Sequence, residues 1–259
     1  MVVSAPAFAR SDILRGGFGL LFPDANSFIN PGEAALGRGL SLETGLETTT
    51  DSNNNRILNA GPSAVYGGSI FSLGGYYQRA GDNILGSPEG YTERVGAALG
   101  LALLYKRLTI GATYSRETFQ GNAGANLAAT ATARFGHERV KGVKLAVSAN
   151  QDLGIDLATT GFSVAVGYDL NYKDGFELNI SFNDFYNPVD WSVGGYLVLT
   201  GESKWYTASG LRYDLFNANL EVMERVGYML SRSTDCSLYT HLPLATGSFR
   251  LGATLRQAF

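Results

Sequence analysis

The sequence predicts an all-β fold: a closed antiparallel barrel that crosses a membrane on about fourteen strands, with twelve as the alternative count. Three observations predict it. Apolar and polar residues alternate with a period of two along nearly the whole chain from Leu40 onward, so each strand has one greasy and one wet face. The connections between these runs take turns in length. Those at 67–69, 106–107, 136–139, 173–175 and 201–203 are short, and those at 51–56, 80–90, 118–125, 152–160 and 184–190 are longer, as in a barrel with both chain ends on one side. The final run, Gly247 to Phe259, sets Phe249, Leu251, Ala253, Leu255 and Phe259 against Ser248, Arg250, Gly252, Thr254 and Arg256, and ends on an aromatic. A soluble sandwich or propeller fits less well, because each strand keeps a consistently polar face and no blade repeats at a fixed period.

Composition agrees. In 259 residues there are 33 Gly, 14 Tyr and 14 Phe, with only 17% charged residues, which suits short strands and tight turns rather than helices. No apolar run reaches the roughly 18 residues that a membrane-spanning helix needs, and a barrel gives no such run. A net charge of -3 offers no basic field for nucleic acid. The single Cys236 cannot form an internal disulfide and leaves the redox compartment open. No shift in composition marks a second domain, so residues 40–259 are read as one barrel.

Ahead of the barrel, Ala7-Phe8-Ala9 fits the small-x-small cleavage rule, so residues 1–9 are either the tail of an export signal or an ordinary terminus. Residues 10–39 have no period of either kind. A stretch of this length needs a place, either tucked into the lumen as a plug or left as a tail.

The strands follow in order. Leu40 to Thr48 alternates cleanly and ends at the polar cluster Asp51 to Asn55. Leu58–Tyr66 and Ile70–Arg79 flank Gly67-Gly68-Ser69, read as a hairpin turn. Tyr91 to Tyr105 presents Val95, Ala97, Leu99, Leu101, Leu103 and Tyr105 outward, and Leu108 to Tyr114 returns. Less regular runs cover 126–135, 141–151, 217–231 and 234–242. Phe162 to Tyr172, Phe176 to Asn183, Trp191 to Leu199 and Trp205 to Tyr213 alternate strictly. A short connection at Asp214 to Asn217, where a long one is due, keeps the count of twelve open. Glu224 falls on the face that Leu220, Val222, Val226, Tyr228 and Leu230 give to lipid, so a bulge or a place near the membrane edge is expected there. Tyr91, Tyr105, Tyr172, Phe176, Trp191, Trp205, Tyr213 and Phe259 sit near strand ends, as interfacial girdles do.

Catalytic chemistry has little to work with. The two histidines are His137, in an expected turn, and His241, which shares a face with Ser237, so no enzyme is expected. No His, Cys, Asp and Glu grouping has ligand spacing, and Gly16-Gly17-Phe18-Gly19 opens no strand-to-helix unit, so neither a metal nor a cofactor is expected. What remains is passage or binding through the lumen. The inward set includes Glu43, Arg94, Lys144, Asp169, Glu177, Arg212, Arg225, Arg250 and Arg256, which either pair with one another to keep the lumen wet or meet a solute. Small inward residues such as Gly96, Ala98, Gly100, Gly111, Ala146, Ala165, Gly167, Ala208 and Gly210 leave room for a segment or ligand inside.

Two resemblances sharpen this reading. The ending resembles the C-terminal assembly signal of bacterial outer-membrane barrels, with Phe259 as its terminal aromatic. That implies an outer-membrane location, lipid contact and handling by the barrel-assembly machinery. The stretch Ser27 to Leu36, with Phe28, Asn30, Pro31 and Gly32, resembles the N-terminal hatch of FadL-type hydrocarbon and long-chain fatty acid transporters, where Asn-Pro-Ala precedes the first of fourteen strands; Gly32 stands where that family usually has Ala. Gly61 to Tyr66 is similar in style. The resemblance implies a monomeric barrel, plugged by residues 10–39, for passive uptake of a small hydrophobic molecule. Two alternatives stand beside it: a structural or lipid-filled barrel without transport, and a general diffusion pore for polar solutes.

Overall fold

A computed structural model describes residues 31–36, 38–50, 56–85, 91–119, 122–137, 141–152, 160–170, 175–182, 191–200, 204–231, 234–245 and 249–259. A single helical turn, α1 (Pro31–Ala34), precedes the strands. The first seven strands are β1 (Arg38–Thr50), β2 (Arg56–Gly68), β3 (Phe71–Gly81), β4 (Tyr91–Leu103), β5 (Leu108–Phe119), β6 (Asn122–His137) and β7 (Lys141–Asp152). The others are β8 (Thr160–Asp169), β9 (Gly175–Phe182), β10 (Trp191–Thr200), β11 (Trp205–Asp214), β12 (Asn219–Met229), β13 (Thr234–Pro243) and β14 (Arg250–Ala258). Each strand pairs antiparallel with its sequence neighbours, and β14 closes on β1, so the count is fourteen.

Closure is made by the last residue. The Leu40 N–H donates to the Phe259 carbonyl at 3.2 Å and the Phe259 N–H to the Leu40 carbonyl at 2.7 Å, which continues the β1–β14 ladder to the chain's end. Gly39 makes the approach possible. Its φ is +101°, and a Cβ there would come within 2.1 Å of the Phe259 carbonyl oxygen.

The alternation read from sequence sorts as expected. Outward-facing Leu46, Leu73, Leu99, Leu178, Leu211, Leu238 and Leu251 are all exposed. An apolar surface that surrounds a barrel is stable against hydrocarbon rather than water. At the end where β1 starts and β14 finishes, here the near end, aromatic pairs mark the edge of this band. They are Tyr66 with Phe71, Tyr168 with Phe176, and Trp205 with Tyr228, at centroid distances of 5.7, 6.0 and 4.7 Å. At the far end, outward-facing Tyr77 and Tyr91 flank Arg79. Its guanidinium lies 4.5 Å from the Tyr91 centroid and 3.3 Å from Glu93, while the Tyr77 hydroxyl donates to Glu93 at 2.6 Å.

Four details differ from the sequence reading. The stretch 118–125 is not a long connection, because β5 runs to Phe119 and β6 starts at Asn122, leaving only 120–121 between them. The Asn-Ala-Gly-Ala run has little bulk to signal a strand, but ladder hydrogen bonds come from the backbone and need none. Gly67 and Gly68 belong to β2, and the chain turns at Ser69 and Ile70. Tyr105 is not an outward strand residue but the tip of a turn, with Leu104, Tyr105 and Lys106 all at positive φ. The connection after Asp214 is a true turn. Asp214 accepts the backbone N–H groups of Phe216 at 3.0 Å and Asn217 at 3.2 Å, a local cap that reverses the chain in little space and removes the case for twelve strands. Tyr172 lies outside the described residues.

Glu224 needs its own correction. It is neither in a bulge nor near an edge: β12 keeps an unbroken register with β11 and β13, and Glu224 sits opposite Ser209 and Thr240 in mid-strand. The rows above and below it reach Tyr213 at the far girdle and Trp205 with Tyr228 at the near one.

Candidate functional site

The inner face of the barrel has two unlike walls. On β3, β4 and β5 the inward residues near the near end are Ser72, Gly100, Ala102, Thr109 and Gly111, all small. Into this notch goes α1. The Ser72 hydroxyl donates to the Pro31 carbonyl at 2.6 Å. A Cβ on Gly100 would meet that same carbonyl oxygen at 2.1 Å, and one on Gly111 would meet the Pro31 ring at 2.5 Å. The two inward glycines therefore create the space that Pro31 fills. Gly32 is pressed equally closely against β5: a Cβ there would lie 2.9 Å from the Ile110 carbonyl oxygen and 3.0 Å from its nitrogen, all backbone atoms. Alanine at this position would push the turn off the wall. Ala34 and Ala35 complete the contact and are buried, Ala35 fully.

The opposite wall, β11 to β14 and β1, carries the charge. Glu221 lies 3.1 Å from Arg212 and 3.1 Å from His241. Arg225 donates from Nε to Ser237 Oγ at 2.8 Å and from Nη2 to Thr254 Oγ1 at 3.0 Å. Arg256 Nε donates to Asp235 at 2.7 Å, and the Tyr206 hydroxyl donates to the same carboxylate at 3.2 Å. The Tyr239 hydroxyl donates to Glu47 at 2.7 Å. Acids and bases alternate on neighbouring strands, so cross-strand pairing satisfies groups that the narrowing lumen takes partly out of water.

Four inward tyrosines lie flat on this scaffold, each over the glycine directly across the ladder. Tyr76 covers Gly96, Tyr196 covers Gly210, Tyr206 covers Gly227 and Tyr239 covers Gly252. A Cβ on any of these glycines would meet the ring at 2.0 to 2.2 Å. Gly96 and Gly210 thus make room for a neighbouring ring rather than for a ligand, a use that spacing alone did not reveal. The cue was in the sequence: Tyr and Gly recur at inward positions of adjacent strands, but the register needed to match them was not.

The sequence-predicted site residues are spread around the wall rather than gathered. Glu43 is buried on β1, across from Arg256, and Arg212, Arg225 and Arg250 share its arc. Arg94 stands apart on β4, where its Nε donates to Glu117 at 3.1 Å. Lys144 is on β7 opposite Arg134 and is only 4% exposed. Asp169 and Glu177 are on β8 and β9, and their side chains lie outside the described residues, as do Phe28, Asn30 and all of residues 1–30. Ser237 and His241 have separate partners and are four positions apart on one strand, roughly 13 Å, too far for proton transfer between them. Among the described residues no group of His, Cys, Asp and Glu side chains is arranged to hold a metal ion.

One stretch of the wall is thinner. Between β2 and β3 the pairing is interrupted at Gly61 and Pro62 and resumes on either side, because Pro62 has no N–H to give the ladder. A hollow of about 490 Å³ lies there, lined mostly by outward residues, among them Leu42, Thr44, Pro62, Ala64, Tyr77 and Leu255.

No protein-family profile matches the chain, and comparison with curated proteins gives no match. Solved structures do match in fold. The CymD monoaromatic hydrocarbon channel is 11% identical with a TM-score of 0.58, over 91% of this chain and 93% of its own. The P. putida toluene transporter TodX is 9% identical with a TM-score of 0.59, over 91% and 94%. A mutant of the Rh. blastica porin is 10% identical with a TM-score of 0.51, over 85% and 99%. At these identities the likeness is one of architecture, and with the closed wall and its apolar outer band it points to an outer-membrane β-barrel.

Proposed function

We propose that this chain is a FadL-type outer-membrane channel for passive uptake of small hydrophobic molecules, with residues 10–39 as its lumen plug. The observation that carries the reading is the seat of Pro31–Ala34 on the Ser72, Gly100 and Gly111 notch, which narrows the lumen at the near end. A general pore gains nothing from a built-in obstruction, whereas a selective channel does. The apolar hollow at the β2–β3 interruption, on the outer face of the wall, is a surface on which a hydrophobic molecule could rest. The fold likeness to channels for toluene and other monoaromatic hydrocarbons adds to this.

The test compares cargoes. Cells that express the chain should accumulate a radiolabelled monoaromatic hydrocarbon faster than cells without it, while liposomes holding the purified chain should swell with sugars no faster than empty ones. Fast swelling with sugars and no hydrocarbon uptake would overturn the proposal. That outcome would favour the second reading, a diffusion pore for polar solutes, for which the charged arc of Arg212, Glu221, Arg225 and Asp235 speaks. A barrel that purifies with bound lipid and supports neither flux would be structural.

A further inference from the structure

Outward-facing charge at the far rim is confined to one arc. Among the described residues it consists of Arg56 on β2, Arg79 on β3, Glu93 on β4 and Arg116 on β5. Further round, the far ends of β7, β10, β11 and β12 present Gln151, Trp191, Tyr213 and Leu220 outward instead. Asp82 follows outward Gly81 on the opposite parity. Three cations against one carboxylate leave the arc positive. The register sets their depth. The row through Leu42, near the start of β1, passes Ala64, Gly75, Ala97, Tyr114 and Leu127 and reaches Gln151 and Thr160 at the far ends of β7 and β8. Rows therefore climb toward the far end as the strand number rises. Arg116 shares a row with Tyr77, two residues nearer than Arg79, but it lies two strands along. The climb cancels the step, so Arg79 and Arg116 sit at one depth, about 12 Å apart across the sheet. Arg79 is held in place. Its guanidinium lies 4.5 Å from the Tyr91 centroid and 5.5 Å from that of Tyr77, and the Glu93 oxygen that it meets at 3.3 Å also accepts the Tyr77 hydroxyl. Arg56 and Arg116 are exposed, and among the described residues neither has a hydrogen-bond or ion-pair partner.

We infer that this arc binds the phosphate groups of the outer-leaflet glycolipid, lipopolysaccharide, with Arg79 and Arg116 as paired cations and Arg56 above them. The far rim is the outer one. β1 begins and β14 finishes at the near end, where the connections 69–70, 104–107 and 138–140 are short, while the far connections 51–55, 82–90 and 153–159 are longer. Tyr77 and Tyr91 mark the level at which acyl chains give way to headgroups. Fixed positive charge at that level attracts anionic headgroups, and a guanidinium fork takes phosphate through two parallel hydrogen bonds. Pairing is the argument for a glycolipid over an ordinary phospholipid: the lipid A sugar carries two phosphates on one rigid backbone, which suits two cations at one depth. The inference rests on the chain standing in an outer membrane, not on what its lumen carries, so it can fail while the channel reading holds.

The test places the full chain in nanodiscs of phosphatidylethanolamine and adds bisphosphorylated lipid A, its dephosphorylated form, or phosphatidylglycerol. Retained lipid is read by native mass spectrometry. The wild-type chain should retain bisphosphorylated lipid A about tenfold better than either of the others. Arg79→Gln and Arg116→Gln should each lower that retention about tenfold, whereas Lys204→Gln at the near rim, beside Tyr228, should leave it unchanged. Folding is checked by heat-modifiable gel migration, and Arg56→Gln combined with Arg116→Gln, both at exposed positions, replaces Arg79→Gln if that variant does not fold. No retention by the wild-type chain, or retention of dephosphorylated lipid A or phosphatidylglycerol equal to that of the bisphosphorylated form, would overturn the inference. Undiminished retention by the folded arginine variants, or an equal loss with Lys204→Gln, would do the same.

Discussion

At the scale of single residues, the barrel depends on a few places where nothing larger than hydrogen fits. Gly39 is the sharpest, since it combines positive φ with a carbonyl 2.1 Å from where a Cβ would stand. Gly39→Ala should therefore loosen the β1–β14 seam and cost about 1 to 3 kcal/mol, read as a lower temperature for loss of the compact gel form; an unchanged transition would mean that the seam tolerates a shift. Gly32 makes the complementary case. Gly32→Ala should leave the barrel's stability near wild type but displace the turn from β5, detected as faster cleavage by an added protease within residues 30–37. Gly39 could not be picked out from sequence among 33 glycines, and Gly32 was marked only by its place in the hatch-like stretch, not by any sign of a close approach. A close approach is a fact about two distant segments, and sequence carries only one of them at a time.

At the scale of elements, what could be read in sequence was the period and what could not was the partner. Strand faces followed from alternation at Phe162 to Leu170 and Leu251 to Leu255 because burial against lipid acts on every second residue. Strand ends did not, since Asn122 to Gly124 and Gly67 to Gly68 join their ladders through backbone alone. The flat tyrosines follow from the same limit: Tyr196 was a visible aromatic, and only the register put Gly210 beneath it. Gly210→Leu should lift that ring off the wall into the lumen and break its contact with the Met223 sulfur, 3.0 Å away. Single-channel current should fall while the folded fraction holds, and a current equal to wild type would mean that this stretch of wall is not on the conducting path. The turn at Leu104 to Lys106 offers an opposite test. Three non-glycine residues at positive φ carry strain of about 1 to 2 kcal/mol each, so Tyr105→Gly should stabilise the barrel by an amount of that order.

At the scale of the whole molecule, the two walls divide the work. Near its near end the β3–β5 side carries only small inward side chains, so that a helical turn can lie against it, and the β11–β1 side is filled with paired charges that tie the inward polarity of five neighbouring strands together. Inward charges and small inward residues were legible in the sequence as two sets; which of them closure gathers, Ser72, Gly100 and Gly111 around α1 and Arg212, Glu221, Arg225 and Asp235 in one arc, is not encoded by any local pattern. If the turn is a plug, its removal should widen the path on the uncharged side only. Deleting residues 10–36 while keeping Arg38 onward should thus raise single-channel conductance roughly two-fold, since a turn about 10 Å across leaves the lumen with it. Ion selectivity should change less, because the paired arc from Arg212 to Asp235 stays in place. Both quantities come from the same planar-bilayer records. A conductance that does not move would put Pro31–Ala34 off the conducting path, and a large swing in selectivity would mean that the segment, not the opposite wall, sets the field that a passing solute meets.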